Sequence, residues 1–141
     1  MLLTIEKVLI LKSVSIFKKI PEETLAEVAM SLKYVQADKG KTIFTKGELG
    51  RSMYIIIDGK VSVHDGERQI TTLGQREIFG ELAALNPEPR TFSVTALDDS
   101  HLFRLEYETL HELISDHVDL ATGIIQVLCQ RLQHQYLKKR S

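Results

Sequence analysis

The sequence predicts an α+β fold, with a β-rich centre of sandwich or small-barrel type flanked by helices at both ends. Three observations carry this. Seven of the eight glycines lie between positions 40 and 80, so turns crowd the middle of the chain. Short runs of β-branched and aromatic residues recur there at regular spacing. Towards both ends the apolar residues fall into a helical period.

At the N-terminus, Thr4 is the expected cap of a helix over Ile5 to Leu11. Pro21 opens a second helix, with Glu22 and Glu23 in its first turn, where the helix dipole favours acid. Leu25, Val28, Ala29 and Leu32 recur at i, i+3, i+4 and i+7, one buried stripe. From Tyr34 the period changes. Thr42 to Thr45 is a short strand and Met53 to Ile57 a strong one. Asp58-Gly59 is a tight turn, and Val61 and Val63 then alternate with Ser62 and His64. Asp65-Gly66 turns the chain into a strand over Glu67 to Leu73. Ser93 to Ala96 and His101 to Leu105 are strands joined by Asp98-Asp99-Ser100. Helices return over Glu106 to Ile114 and Val118 to Lys138. The second of these is expected to carry Ala121, Ile124, Ile125, Leu128 and Leu132 on one face, and Lys138, Lys139 and Arg140 in its last turn.

Composition excludes several classes of function. A length of 141 residues suits one domain. With 43% hydrophobic and 26% charged residues, the chain reads as globular and soluble. Eighteen basic against nineteen acidic residues give a formal charge of −1, without the basic excess of a general nucleic-acid binder. The single cysteine, Cys129, allows no internal disulfide, and a reducing, cytoplasmic location is expected. The first residues lack the pattern of a signal peptide, and no apolar run is long enough for a membrane span. The five histidines show no metal-binding spacing, neither His-x-His nor His-Glu-x-x-His. There is no Gly-x-Ser-x-Gly and no glycine-rich triphosphate loop. No enzymatic activity, metal or cofactor is expected.

Residues Phe79 to Val94 do not fit a plain barrel. Gly80 precedes a very short helical stretch, Glu81 to Leu85, and a turn containing Pro87 and Pro89 then delivers Arg90 just ahead of a strand. Gly80 would let backbone approach a ligand closely. Free amides at a helix start favour an anion. The guanidinium of Arg90 offers a fork of donors matched to a phosphate. The carboxylate of Glu81 would repel a phosphate but can accept from a sugar hydroxyl. A phosphate joined to a ribose accounts for all of these features.

The segment resembles the phosphate-binding cassette of the cyclic-nucleotide-binding domain family, matching at Phe79, Gly80, Glu81, Leu82, Ala83, Leu85, Pro89, Arg90, Thr91, Ser93 and Val94. A second stretch, Ile43 to Val61, resembles the family's Gly-x-x-Gly turn (Gly47 and Gly50), aromatic strand and glycine hairpin. The resemblance spans nearly the whole chain. It implies one domain over residues 1–141, a β-roll or double-stranded jelly-roll barrel at 34–105 between N-terminal helices at 1–33 and a C-terminal helical lid at 106–141.

It also implies a regulatory module that binds a cyclic nucleotide, cAMP in preference to cGMP. Its contact residues would be Phe79, Gly80, Glu81, Leu82, Ala83, Pro89, Arg90, Thr91 and Phe92. Glu81 would accept from the ribose 2′-hydroxyl. Arg90 would hold the phosphate oxygens, helped by backbone amides near Ala83 and Thr91. Leu128, Leu132 and Tyr136 would cap the base, or serve as core or homodimer contacts. A larger fused or partner effector is implied, but no DNA-reading unit is expected within this chain.

Two positions depart from the family pattern. Phe92 stands where a small residue is usual, and Arg76-Glu77 where many members have Gly-Asp. Phe92 favours a second reading, a structural or dimerisation domain whose pocket binds nothing.

Overall fold

The computed structural model describes residues 2–140. In chain order the elements are α1 (Thr4–Ser13), a single 3-10 turn (Ser15–Phe17), α2 (Glu22–Met30), β1 (Lys33–Ala37), β2 (Thr42–Phe44), β3 (Leu49–Gly50) and β4 (Ser52–Asp58). Then follow β5 (Val61–Asp65), β6 (Arg68–Leu73), β7 (Ile78–Phe79), α3 (Glu81–Leu85) and β8 (Glu88–Pro89). The chain ends with β9 (Ser93–Ala96), β10 (Ser100–Glu106), α4 (Tyr107–Asp116) and α5 (Val118–Arg140). Two compact units result: Met1–Met30 with Glu112–Ser141, and Ser31–His111.

The helices depart from expectation in three places, the cap of α1, the end of α2 and the buried stripe of α5. Leu3, not Thr4, holds the cap position of α1, with Thr4 already helical. The reason is Glu6, whose carboxylate accepts from the Leu3 amide at 3.1 Å and so supplies the cap from inside the helix. In α2, Pro21 precedes the helix and its carbonyl accepts from the Leu25 amide at 3.0 Å. Leu25, Val28 and Ala29 are fully buried as expected, but Leu32 lies past the end of α2 and is only half-buried.

In α5 the buried stripe is Leu120, Gly123, Ile124 and Val127. The expected face instead leaves Ile125 58% and Leu132 66% exposed. Adjacent stripes differ by one residue, about 100° of rotation. The choice between them is made by Gly123, which lies against the Ile20 side chain. Thr24 donates to Asp119 at 2.7 Å, and Arg131 donates to Ser15 at 2.5 Å, fixing the same face of α5. The Arg140 side chain of the basic tail lies outside the described residues.

The Ser31–His111 unit is an all-antiparallel β-roll. One sheet has the order β1-β10-β4-β7, a second β2-β9-β5-β6, and β3 pairs with β8 in a short clasp. The sheets do not close into a barrel. Residues from both larger sheets share one core, among them Phe44, Tyr54, Ile56, Val63, Phe79, Val94 and Leu102. The alternation that predicted the strands puts these side chains inward. In β4, Met53 to Ile56 form a continuous buried run.

The turn before β7 holds the one non-glycine residue described with a left-handed backbone, Arg76 at φ 69°. Its amide donates to Ile56 at 2.7 Å, and Ile56 donates back to Glu77 at 3.0 Å. The altered turn therefore keeps the conformation a glycine would take and delivers β7 to the sheet.

Candidate ligand-binding site

The β3–β8 clasp sets the position of Arg90. Leu49 pairs with Pro89 and Gly50 with Glu88. Just beyond, the Gly47 amide donates to the Arg90 carbonyl at 2.9 Å, and the Arg90 amide donates to the Glu48 carbonyl at 2.7 Å. The Gly-x-x-Gly turn thus holds the arginine's backbone from both sides.

The side chain runs inward and is only 8% exposed. Its Nη2 donates to the Ser52 carbonyl at 2.8 Å and approaches the Ser52 hydroxyl at 3.3 Å. Its Cζ lies 3.9 Å from the centroid of the Phe44 ring, a cation–π contact. Nη1 is buried with no hydrogen-bond partner among the described residues. Such a group costs about 1–3 kcal/mol of desolvation until something accepts from it. Burial pushes the arginine below its usual pKa, opposed through space by Tyr54, Glu48 and Glu88, and the group remains a cation.

Two glycines make room for this guanidinium. A Cβ on Gly50 would meet Arg90 Nε at 2.5 Å, and a Cβ on Gly80 would meet Nη1 at 2.6 Å and the Ser52 carbonyl at 2.9 Å. Gly80 also has φ 77°, which caps α3 from a left-handed conformation. The space expected to admit a ligand at Gly80 is therefore taken by Arg90. Beneath lies an aromatic floor: Tyr54 and Phe79 stack at 5.1 Å, and Phe44 tilts against them at 6.1 and 5.8 Å.

Around Arg90 opens a cleft of about 360 Å³, within the ordinary range of small-molecule sites, roughly 300–1,000 Å³. All nine contact residues expected from sequence line it: Phe79, Gly80, Glu81, Leu82, Ala83, Pro89, Arg90, Thr91 and Phe92. Glu81 is half-buried at the start of α3, and Thr91 is exposed. Phe92 packs against the core cluster and forms part of the wall, so its ring narrows the cleft without filling it.

Phe44, Val63, Ile78, Glu88 and Val94 also line the cleft and were not expected as contacts. Phe44, Val63, Ile78 and Val94 come from strands whose apolar residues mark them only as core, and Glu88 stands in the short β8 clasp between two prolines. All lining residues belong to the Ser31–His111 unit. Leu128, Leu132 and Tyr136 lie on α5 in the helical unit, with Leu132 and Tyr136 66% and 59% exposed. Among the described residues no cluster of three or more His, Cys, Asp or Glu could hold a metal ion, and no helix is long and apolar enough to cross a membrane.

The β-roll and its cleft define a small-molecule-binding domain built around one buried cation. The cyclic nucleotide-binding domain model matches residues 34–117, and the chain belongs to that family. It is 33% identical over 129 residues to the CRP-like cAMP-activated global transcriptional regulator of Mycobacterium tuberculosis, covering 88% of this chain and 58% of that protein. It thus spans little more than half of that relative's length. The N-terminal domain of a transcriptional regulator from Streptomyces coelicolor superposes with a TM-score of 0.84 at 28% identity, over 90% of this chain and 92% of that one. The regulatory domain of Toxoplasma gondii PKA, solved with cAMP, superposes at 0.73 and 26% identity, over 80% of this chain and 45% of that one.

Proposed function

We propose that the chain is a regulatory module that binds a cyclic nucleotide in the Arg90 cleft, cAMP in preference to cGMP, and signals through its C-terminal helix. The observation that carries this is the buried guanidinium with an unsatisfied Nη1, on the wall of a cleft large enough for a nucleotide. The cyclic phosphate accepts from Nη1, aided by amides near Ala83 and Thr91. Glu81 accepts from the ribose 2′-hydroxyl, and Phe92, Leu82 and Val63 offer apolar surface to the base. The preference for cAMP is supported by relatives whose names specify it.

Leu128, Leu132 and Tyr136 on α5 act as lid or homodimer contacts. Val118, Ile125 and Leu132, exposed and seven residues apart, are a seam suited to a second copy. A ligand shifts α5 only by its difference in affinity for two arrangements, about 5.5 kcal/mol for a nearly complete shift. The protein is cytoplasmic, acts on a fused or partner effector and catalyses nothing.

Calorimetry tests the reading. Wild-type protein binds cAMP, and Arg90→Ala weakens binding at least tenfold, since truncating one partner of a buried charge pair costs about 2–5 kcal/mol. Ligand at 100 times its Kd raises stability by about 2.7 kcal/mol in a thermal melt. No shift with millimolar cAMP or cGMP would instead favour the second reading, for which the aromatic wall at Phe92 speaks: a scaffold with an unused pocket.

A further inference from the structure

Resting on that reading of the cleft, we propose that Phe44 is a positioning residue for the ligand's anion. It fixes the plane of the Arg90 guanidinium by cation–π contact without neutralising it. Buried arginines are usually oriented by a carboxylate, which also consumes their charge. Arg90 is oriented differently. Its hydrogen bonds go to the Ser52 carbonyl and hydroxyl, and its flat face lies 3.9 Å from the Phe44 ring centroid. Both contacts are to neutral groups. Glu48 and Glu88 act on the cation only through space.

The ring is itself immobilised. Phe44 is 9% exposed and packs against Tyr54 and Phe79, which stack on each other. Gly50 and Gly80 approach it closely on two further sides, so the guanidinium is held between a rigid ring and two backbone segments while Arg90 still lines the cleft. The orphan Nη1 is thereby preorganised with its charge unspent, and the anion is the partner that completes it. As the buried residue of β2, Phe44 looks like simple core, and its contact with Arg90 gives it a second task.

The test uses the whole chain with cAMP and cGMP. Calorimetry is run on wild type, Phe44→Leu and Phe44→Met, each with Arg90 intact and with Arg90→Gln; weak members are followed by NMR titration. A desolvated cation–π contact corresponds to an affinity loss of about three- to thirty-fold for both Phe44 variants with Arg90 present. In the Arg90→Gln background the same changes alter affinity less than about twofold, because no cation remains to position. The free protein supplies a readout independent of binding: the Arg90 Nε–Hε resonance carries a ring-current shift that disappears in Phe44→Leu and Phe44→Met. Met is unbranched and adapts to irregular core space, so the question stays open to test if the Leu variant folds poorly. Equal affinity for wild type and both Phe44 variants overturns the proposal, as does an equal loss in both backgrounds. Wild-type protein that binds neither nucleotide overturns the reading of the cleft itself, which the unchanged ring-current result would separate from the role of Phe44.

Discussion

Replacing Gly50 with alanine should weaken binding some thirty-fold or more without unfolding the protein. The added Cβ would lie 2.5 Å from Arg90 Nε, 2.7 Å from Cζ and 2.8 Å from Cδ. Non-bonded atoms prefer about 3.5–4.0 Å, so the overlap is on the order of 1 Å. The backbone cannot easily retreat, since Gly50 pairs with Glu88 and the neighbouring Glu48 carbonyl holds the Arg90 amide at 2.7 Å. Gly50 is not among the residues with positive φ, so alanine meets no conformational strain there. The guanidinium is the flexible party and must move.

Its departure removes the bonds to Ser52 and the contact with Phe44, roughly 1–3 kcal/mol each. It also releases a desolvated cation with an orphan donor, which returns about 1–3 kcal/mol. The terms offset only in part, and at mid-range values the net loss of stability is about 2–4 kcal/mol. Binding has no such offset. Loss of the positioned cation costs about 2–5 kcal/mol, some thirty-fold or more in affinity. Urea denaturation and calorimetry with cAMP measure the two quantities separately. A Gly50→Ala protein that binds within about threefold of wild type would refute the claim that this glycine exists to seat Arg90.

Three further outcomes follow from other parts of the molecule. Arg76→Gly should raise stability by about 1 kcal/mol in urea unfolding, because Arg76 holds φ 69° and left-handed backbone is costly for any residue with a Cβ. Gly123→Ala, which on an open helix would stabilise by about 1 kcal/mol, should instead destabilise by about 1–3 kcal/mol through overpacking against Ile20; Ile20→Val, which removes the Cδ1 that the new Cβ meets, should recover most of the loss in the double variant. Arg51 donates to Glu108 through Nε at 2.8 Å and holds its carboxyl below the usual value of 4.5. A depressed carboxyl stabilises the fold above its unfolded value and loses that contribution as pH falls through the folded one, so Glu108→Gln should shrink the difference in melting temperature between neutral pH and pH values below 4.5.

The parts of the fold legible in the sequence are those where local chemistry decides. Ser93–Ala96 and Glu81–Leu85 have the expected boundaries, since a glycine, a proline pair and a β-branched run bracket them. Asp58-Gly59 and Asp65-Gly66 turn as expected, with both glycines at positive φ. The cassette was legible because its polar residues sit within one short segment. What was not legible depends on distant partners. On α5 two apolar stripes compete, and the buried one is selected by Ile20, about a hundred residues earlier in the chain. Gly50 reads as turn chemistry, yet its missing Cβ serves an arginine forty residues later.

Phe44 reads as core and is core, and nothing in its strand announces the cation above it. These hidden features converge on one group. A sequence selected for stability alone would give Arg90 a carboxylate or replace it with an apolar residue. Here two glycines, an aromatic ring and a serine are arranged to keep a buried cation incompletely satisfied. That arrangement is unfavourable for the free protein, and an anion in the proposed site would relieve it. A local inconsistency maintained by several independent residues is the mark of a site held ready for a ligand, and the proposed cyclic nucleotide supplies the missing charge.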